Sequence, residues 1–399
     1  MGTEDRTLSK LETCFLPTNP NVAFTPHTYT WGPLKAPDAG QSITFVQGLQ
    51  TLGGHGDPTL KEGLAVHQYS FNADMKRQAF VNNDGELLLM PQRGALDIQT
   101  ELGSLRVRPG AIAVIPAGIR FAVCIVPAPV SAGDRPEPLG AAGYALEIFG
   151  SHFALPELGV LGANGLARIR DFEYPVASFD LDPPSTPNED APSRPPWKIT
   201  IKLAGKLYAY AQAHTPFDVV AWHGRYAPYK YELARFAHLS ANSDQLDPTA
   251  YTVLTAPSKW PGVSLIDFCL FGEKWVVAEN TMRIPYYHRT MATELVGVIK
   301  GQYHGSVRPL EAGGLSFEQS YMPHGESYNA WKEDRESEQK PVKAAEGFLG
   351  NVFLLRVKKN ILAWEKHICL PATRRLHVPH LIPCRPDQVG DRAASRYPP

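Results

Sequence analysis

His288, Glu294 and His324 offer an imidazole, a carboxylate and a second imidazole within one stretch of the chain's second half. That is the donor inventory of a facial-triad non-heme Fe(II) site, which leaves other coordination positions open. The spacing limits how they could meet. Along a single strand, residues 288 and 294 would have Cα atoms ~20 Å apart at ~3.3 Å per residue, too far to share an ion. On a helix, six steps of ~100° put them on different faces. A shared ion therefore predicts that the chain reverses over 289–293, as a hairpin tip returning Glu294 beside His288. A lone histidine beside two tyrosines, or a single Pro-His-Gly, is more often an ordinary pocket residue than a ligand. The carboxylate tips the balance, because a Glu inside the apolar run ELVGVI is costly to bury without a cation or a proton.

These residues need strands to hold them. Residues 294–299 (ELVGVI) read as a strand with both faces mostly apolar, as in a sandwich core. The second histidine would come from a neighbouring strand. Further back, YTVLTA, VSLIDFCLF and KWVVAEN are strand-like. In the first half, ELLLM, ALDIQT, LRV, AIAVI and IRFAVCIV run from 86 to 126 as short apolar segments closed by Gly or Pro or lying near one. Turns at that spacing mark a β-sandwich or barrel. ALDIQT alternates apolar and polar residues, as a half-buried strand does. Gly 33 and Pro 36 fit a chain of many turns and few long helices. A Pro-rich stretch at 174–197 holds too little apolar content for core strand or helix and reads as an exposed excursion.

The chain has 399 residues, 43% hydrophobic and 20% charged, enough to bury a large core in more than one compact unit. Lys+Arg 39 balance Asp+Glu 40, and no basic run is long enough to track a polyanion, so nucleic-acid binding is excluded. No apolar window is long enough for a membrane span or secretory signal, which predicts an intracellular, cytoplasmic protein. Five scattered cysteines without a CxxC pair argue against a disulfide framework or a thiolate metal site.

The spacing His288, Glu294, Gly301 resembles the first motif of cupin barrels, with Thr290 where that motif has its second histidine. PGAIAVIPAG at 109–118 resembles the second cupin motif, and also fits an ordinary hairpin with turn glycines. The motif's metal-binding histidine would fall on Phe121, which has no lone pair to give, so the first half is expected to carry no metal. Longer strings resemble the homogentisate 1,2-dioxygenase family: FVQGLQTLGGHGDP, DGELLLMPQRG, ELGSLRVRPG, YALEIFGSHFALPELGVLGANGLARIRDF, VVAWHGRYAPYKYEL, YTVLTA, PYYHR and MPHG, spanning roughly 45–364.

The resemblance implies a mainly β fold of two β-sandwich or jelly-roll, cupin-like portions. An N-terminal metal-free domain would take 1–235, a C-terminal metal-binding domain 236–375, and a loose tail 376–399. It implies Fe(II) held by His288, Glu294 and His324, and a homo-oligomer, trimer or hexamer, that uses O2 to open a dihydroxylated ring, a homogentisate-like hydroquinone or catechol acid. Substrate contacts would come from Tyr303, Tyr286 and Arg289. Two departures bear on activity. Where the family has a histidine bonding the ring hydroxyl, this chain has Gln245, which cannot take a proton near neutral pH. A second family histidine is replaced by Glu318. The N-terminal portion reads as shortened relative to the family. Three readings stay open: a paralogue opening a different ring, with Glu318 or metal-bound water as base; slow cleavage of homogentisate; and a non-catalytic or non-oxygenase cupin that binds metal or ligand without ring cleavage.

Overall fold

The computed structural model describes residues 29–38, 40–126, 140–157, 166–180, 195–224, 226–236, 241–242, 251–276, 280, 287–303, 310–344, 347–355 and 362–363. The expected tail at 376–399 and most of the Pro-rich stretch lie outside them. The backbone divides into one unit over 1–364 and a second over 365–399. The fold is mainly β. Among the described residues the α-helices are Phe45–Gly48 and Tyr328–Glu336, and none is long and apolar enough to cross a membrane.

Two sheets form the N-terminal sandwich. The eight-stranded sheet runs, in spatial order, Phe172–Glu173, Tyr229–Glu232, Ala111–Ile115, Gly85–Arg93, Ala141–Phe149, Glu62–Phe71, Leu49–Asp57 and Leu362–Ala363. The six-stranded sheet facing it runs Lys206–Gln212, Trp197–Leu203, Gln78–Asn82, Arg120–Val126, Ala95–Thr100 and Gly103–Val107. Between them lies one apolar cluster in which Tyr69, Leu89 and Phe149 of the first sheet meet Phe80, Ile98 and Ile199 of the second. Phe121, the residue in the metal position of the cupin-like motif, is fully buried there and packs edge-on to Phe80.

A third layer covers the other face of the eight-stranded sheet. It is a six-stranded sheet in the order Tyr29–Trp31, Leu315–Glu318, Thr293–Lys300, Leu349–Leu355, Ser264–Phe271 and Thr252–Pro257. Its Trp31, Leu295, Phe317 and Leu355 close on Leu52 and Val66 of the eight-stranded sheet. Across the same seam, Tyr144 Oη donates to the Gly314 carbonyl and Gln68 Nε2 to the Gly313 carbonyl. The layering explains the burial patterns. Ala95–Thr100, in an outer sheet, alternates between buried and half-buried residues, whereas Ala141–Phe149, in the middle layer, is buried at every position. The halves also trade edges: Tyr29–Trp31 pairs with Leu315–Phe317, and Leu362–Ala363 pairs with Gly53 and Gly54.

The first sandwich encloses a buried ionic cluster. Lys202 Nζ lies 2.8 Å from Asp84 Oδ2 and 2.5 Å from Glu147 Oε1, with all three side chains at most 3% exposed. Asn82 Nδ2 donates to Glu147 at 2.7 Å, His67 Nε2 sits 3.3 Å from the other Glu147 oxygen, and His67 Nδ1 is 2.7 Å from Thr51 Oγ1. Backbone N–H of Gly205 also donates to Asp84. Every charge therefore has partners, as burial requires.

Candidate metal centre

Glu294 is the second residue of the strand Thr293–Lys300, which pairs on one side with Leu315–Glu318 and on the other with Leu349–Leu355. The β-branched and apolar residues of TELVGVIK suit a strand with neighbours on both edges and one face against the middle layer. Gly301 ends it with φ +79, where a Cβ would come within 2.8 Å of the Gly347 carbonyl oxygen. Leu295 faces the middle layer, so Glu294, one residue away, points to the other side with Val296. His324 belongs to the chain that continues from Leu315–Glu318.

The expected hairpin over 289–293 is not what joins Glu294 to His288. Glu294 opposes Glu318 in the antiparallel ladder, and His288 opposes His324 in an isolated antiparallel bridge. His288 precedes Glu294 by six residues and His324 follows Glu318 by six, so both pairs belong to one ribbon of constant register. Between them the ladder is interrupted: Tyr321 N donates to the Thr290 carbonyl at 2.8 Å, and Tyr321 takes a left-handed φ of 63° that a non-glycine residue seldom adopts. A flat ribbon would hold the ligands ~20 Å apart, so the interruption must fold it sharply. A shared ion requires shortening between 288 and 294, and a kinked double strand supplies it in place of a hairpin tip.

The kink brings one donor atom from each of His288, Glu294 and His324 within 4.8 Å of one another, and they are the only such group of His, Cys, Asp or Glu among the described residues. The histidine rings meet edge to face at a centroid distance of 4.6 Å. His324 Nδ1 lies 3.0 Å from the Met322 carbonyl, which only an N–H can satisfy, so Nδ1 carries the proton and Nε2 keeps its lone pair. That Nε2 is buried without a hydrogen-bond partner and stands 3.6 Å from Glu294 Oε1. Two donors bonded at ~2.1 Å to one ion sit roughly 3–3.5 Å apart, so the gap suits a cation between them. The adjacent Glu294 carboxylate raises the His324 pKa above 6.5, against the opposing effect of partial burial; Met322 and the Glu318 charge add to the rise. A negative field that attracts a proton also attracts a divalent cation. An orphaned lone pair, a facing carboxylate and a second imidazole fit a metal.

The other sequence candidates are spread more widely. Glu318 is half-buried on the Glu294 face, with Oε1 accepting from Ser316 Oγ at 2.8 Å. Arg289 is exposed next to His288. Tyr303 pairs through its backbone with Leu310. Gln245 and Tyr286 lie outside the described residues. Two participants escape a reading of the sequence. Thr290 donates to the Ala292 carbonyl at 2.9 Å, with its Oγ1 3.5 Å from Glu294 Oε1; its place in the cupin-like spacing is the available signal. The Met322 carbonyl orients His324, and a main-chain carbonyl leaves no trace in residue type.

Two family models cover nearly all of the chain: homogentisate 1,2-dioxygenase N-terminal over residues 5–233 and homogentisate 1,2-dioxygenase C-terminal over 234–370. The homogentisate 1,2-dioxygenase of Caenorhabditis elegans is 42% identical over 88% of this chain and 73% of its own length. That of Drosophila melanogaster is 40% identical over 86% and 74%, and that of Mus musculus 38% over 86% and 73%. Among solved structures, a cupin 2 conserved barrel domain protein from Leptotrichia buccalis overlays with a TM-score of 0.31 at 9% identity, covering 81% of this chain and 92% of that one, too loose a match to carry weight. The chain belongs to the homogentisate 1,2-dioxygenase family.

Proposed function

We propose that this protein is a non-heme Fe(II) dioxygenase that opens a dihydroxylated monocyclic aromatic ring and places both atoms of O2 in the product. The observation that carries the reading is the convergence of His288, Glu294 and His324 to within 4.8 Å, with His324 Nε2 buried and unpartnered. These three side chains would hold the iron. A ferrous ion there supplies acidification of a bound ring hydroxyl and the electron exchange that activates dioxygen.

The protein's own residues bind and orient the ring. The family resemblance gives Tyr303 and Gln245 as the residues that would hydrogen-bond a ring hydroxyl, with Tyr286 and Arg289 flanking it. Gln245 can hold a hydroxyl but not accept its proton, so in this reading the proton passes to Glu318, whose carboxylate lies on the same face as Glu294. The division into a metal-free portion over 1–235 and a metal-binding portion over 236–375 is part of the proposal, supported by the two family models that meet at 233 and 234. So are a cytoplasmic location and assembly as a trimer or hexamer.

An oxygen-electrode screen of hydroquinones and catechols with Fe(II)-loaded protein tests the reading. Oxygen uptake with ring-opened product is the expected result. Product without oxygen uptake would mean a hydrolase or isomerase instead. Retained iron with no turnover on any ring would favour a metal-binding relative without catalysis, the reading that Gln245 supports.

A further inference from the structure

The seam between the third layer and the eight-stranded sheet holds a small cavity. Leu295, Phe317 and Leu355 face Leu52, Gly53 and Val66 across a space of about 10 Å³, room for about one water-sized molecule. Protein interiors contain few voids of that size. This one has a local cause. The strand Leu49–Asp57 shifts register between Thr51 and Gly53, so that Leu52 and Gly53 both stand against Val66, and the glycine brings no side chain into the space. The surrounding side chains are buried, and no polar atom faces the cavity. A buried water needs two or more polar partners, so such a space stays dry and admits small apolar guests such as xenon.

The cavity backs onto the candidate metal centre. Leu295 and Phe317 oppose each other one residue from the opposed Glu294 and Glu318, and Leu355 opposes Thr293, the first residue of its strand. These are the last rows of the sheet. Beyond them the ladder is interrupted before the chain reaches the His288–His324 bridge. Packed sheets stand ~10 Å apart, so a molecule midway between them lies about 5 Å from the backbone whose other face carries Glu294.

We propose that this cavity is a dioxygen site. It takes one O2 molecule from solvent and holds it behind the strand that carries Glu294, a short way round the interrupted end of the sheet from the metal. This rests on the dioxygenase reading and deepens it by placing the second substrate. Of the two reactants the aromatic ring is far too large for the space, whereas O2 is of the right size and, being apolar, gains by leaving water for an apolar wall.

Crystals of Fe(II)-loaded protein pressurised with xenon test the site without turnover. One xenon peak between Leu295 and Val66 is the expected result. Val66→Ile adds a methylene to the wall and is expected to remove that peak and to raise the KM for oxygen several-fold, with the KM for the ring unchanged. If circular dichroism shows Val66→Ile misfolded, Leu52→Phe fills the same space from the neighbouring strand. A wild-type cavity without xenon overturns the proposal, and so does a folded filling variant that loses xenon yet keeps the wild-type KM for oxygen. The two readings fail separately. Xenon in the cavity of a protein that consumes no oxygen with any ring sinks the dioxygenase assignment and leaves a site for apolar gas; oxygen uptake with an empty cavity sinks only the gas site.

Discussion

His288 and His324 exchange both backbone hydrogen bonds, at 2.9 and 2.8 Å, forming a one-rung antiparallel bridge outside any longer strand. Because the main chain makes this bridge, either side chain can be removed without breaking it. His288→Ala, Glu294→Ala and His324→Ala are therefore expected to keep the wild-type circular dichroism spectrum and to lose iron retention, read as metal per chain after gel filtration. Full retention in any of them would remove that residue from the ligand set.

Thr290 bears on the centre through Glu294. Its hydroxyl has one proton, shared between the Ala292 carbonyl at 2.9 Å and Glu294 Oε1 at 3.5 Å. Valine has nearly the same shape and no hydroxyl. Thr290→Val is expected to weaken Fe(II) affinity by roughly 10-fold, the usual effect of losing an outer partner of a ligand, with little change in melting temperature. Unchanged affinity would show that Glu294 needs no such support.

Much of this was legible in the residues, and the gaps have identifiable causes. The strands over 86–126 stand out because Gly and Pro punctuate apolar runs. Glu62–Phe71 is harder to see: it is buried almost throughout, yet His67, Gln68 and Ser70 interrupt its apolar pattern, and their partners come from elsewhere in the sheets or the chain. A single strand cannot reveal that it lies between two other layers. At the centre, spacing and residue type singled out three side chains that the fold brings to within 4.8 Å of one another, and required the chain to shorten between 288 and 294. The way it shortens depends on the register with 318–324, which is long-range information. Tyr321 in a left-handed conformation carries no advance sign, since glycine is the residue that usually signals one.

The buried ionic cluster should be essential to the first sandwich. Lys202→Met keeps the bulk of the side chain but leaves Asp84 and Glu147 facing each other without a cation. The expected loss is about 3–5 kcal/mol in urea unfolding, as for other buried pairs deprived of one partner. A loss under about 1 kcal/mol would mean that water reaches the carboxylates.

The same cluster predicts acid sensitivity in two windows. Burial lowers the His67 pKa below 6.5, outweighing the pull of Glu147. Burial would raise Glu147, but Lys202 and His67 together hold it at about 2. Both groups bind protons more weakly folded than unfolded, so both contribute stability that falls with pH. The His67 contribution is complete above 6.5 and is lost as pH falls from there towards its lower folded value. That of Glu147 is complete above its unfolded value near 4.5 and is lost as pH falls towards 2. Urea midpoints are expected to decline across both windows, with His67→Gln flattening the upper one. A midpoint constant from about pH 7 to about pH 5 in the wild type would contradict the buried neutral imidazole.

The proposed function requires one ferrous ion shared by His288, Glu294 and His324. The most direct measurement is anomalous scattering at the iron edge from crystals of Fe(II)-loaded protein. One peak per chain, bonded to both imidazoles and the Glu294 carboxylate, is the predicted result. Iron bound elsewhere, or no iron bound while the three side chains are ordered, would contradict it.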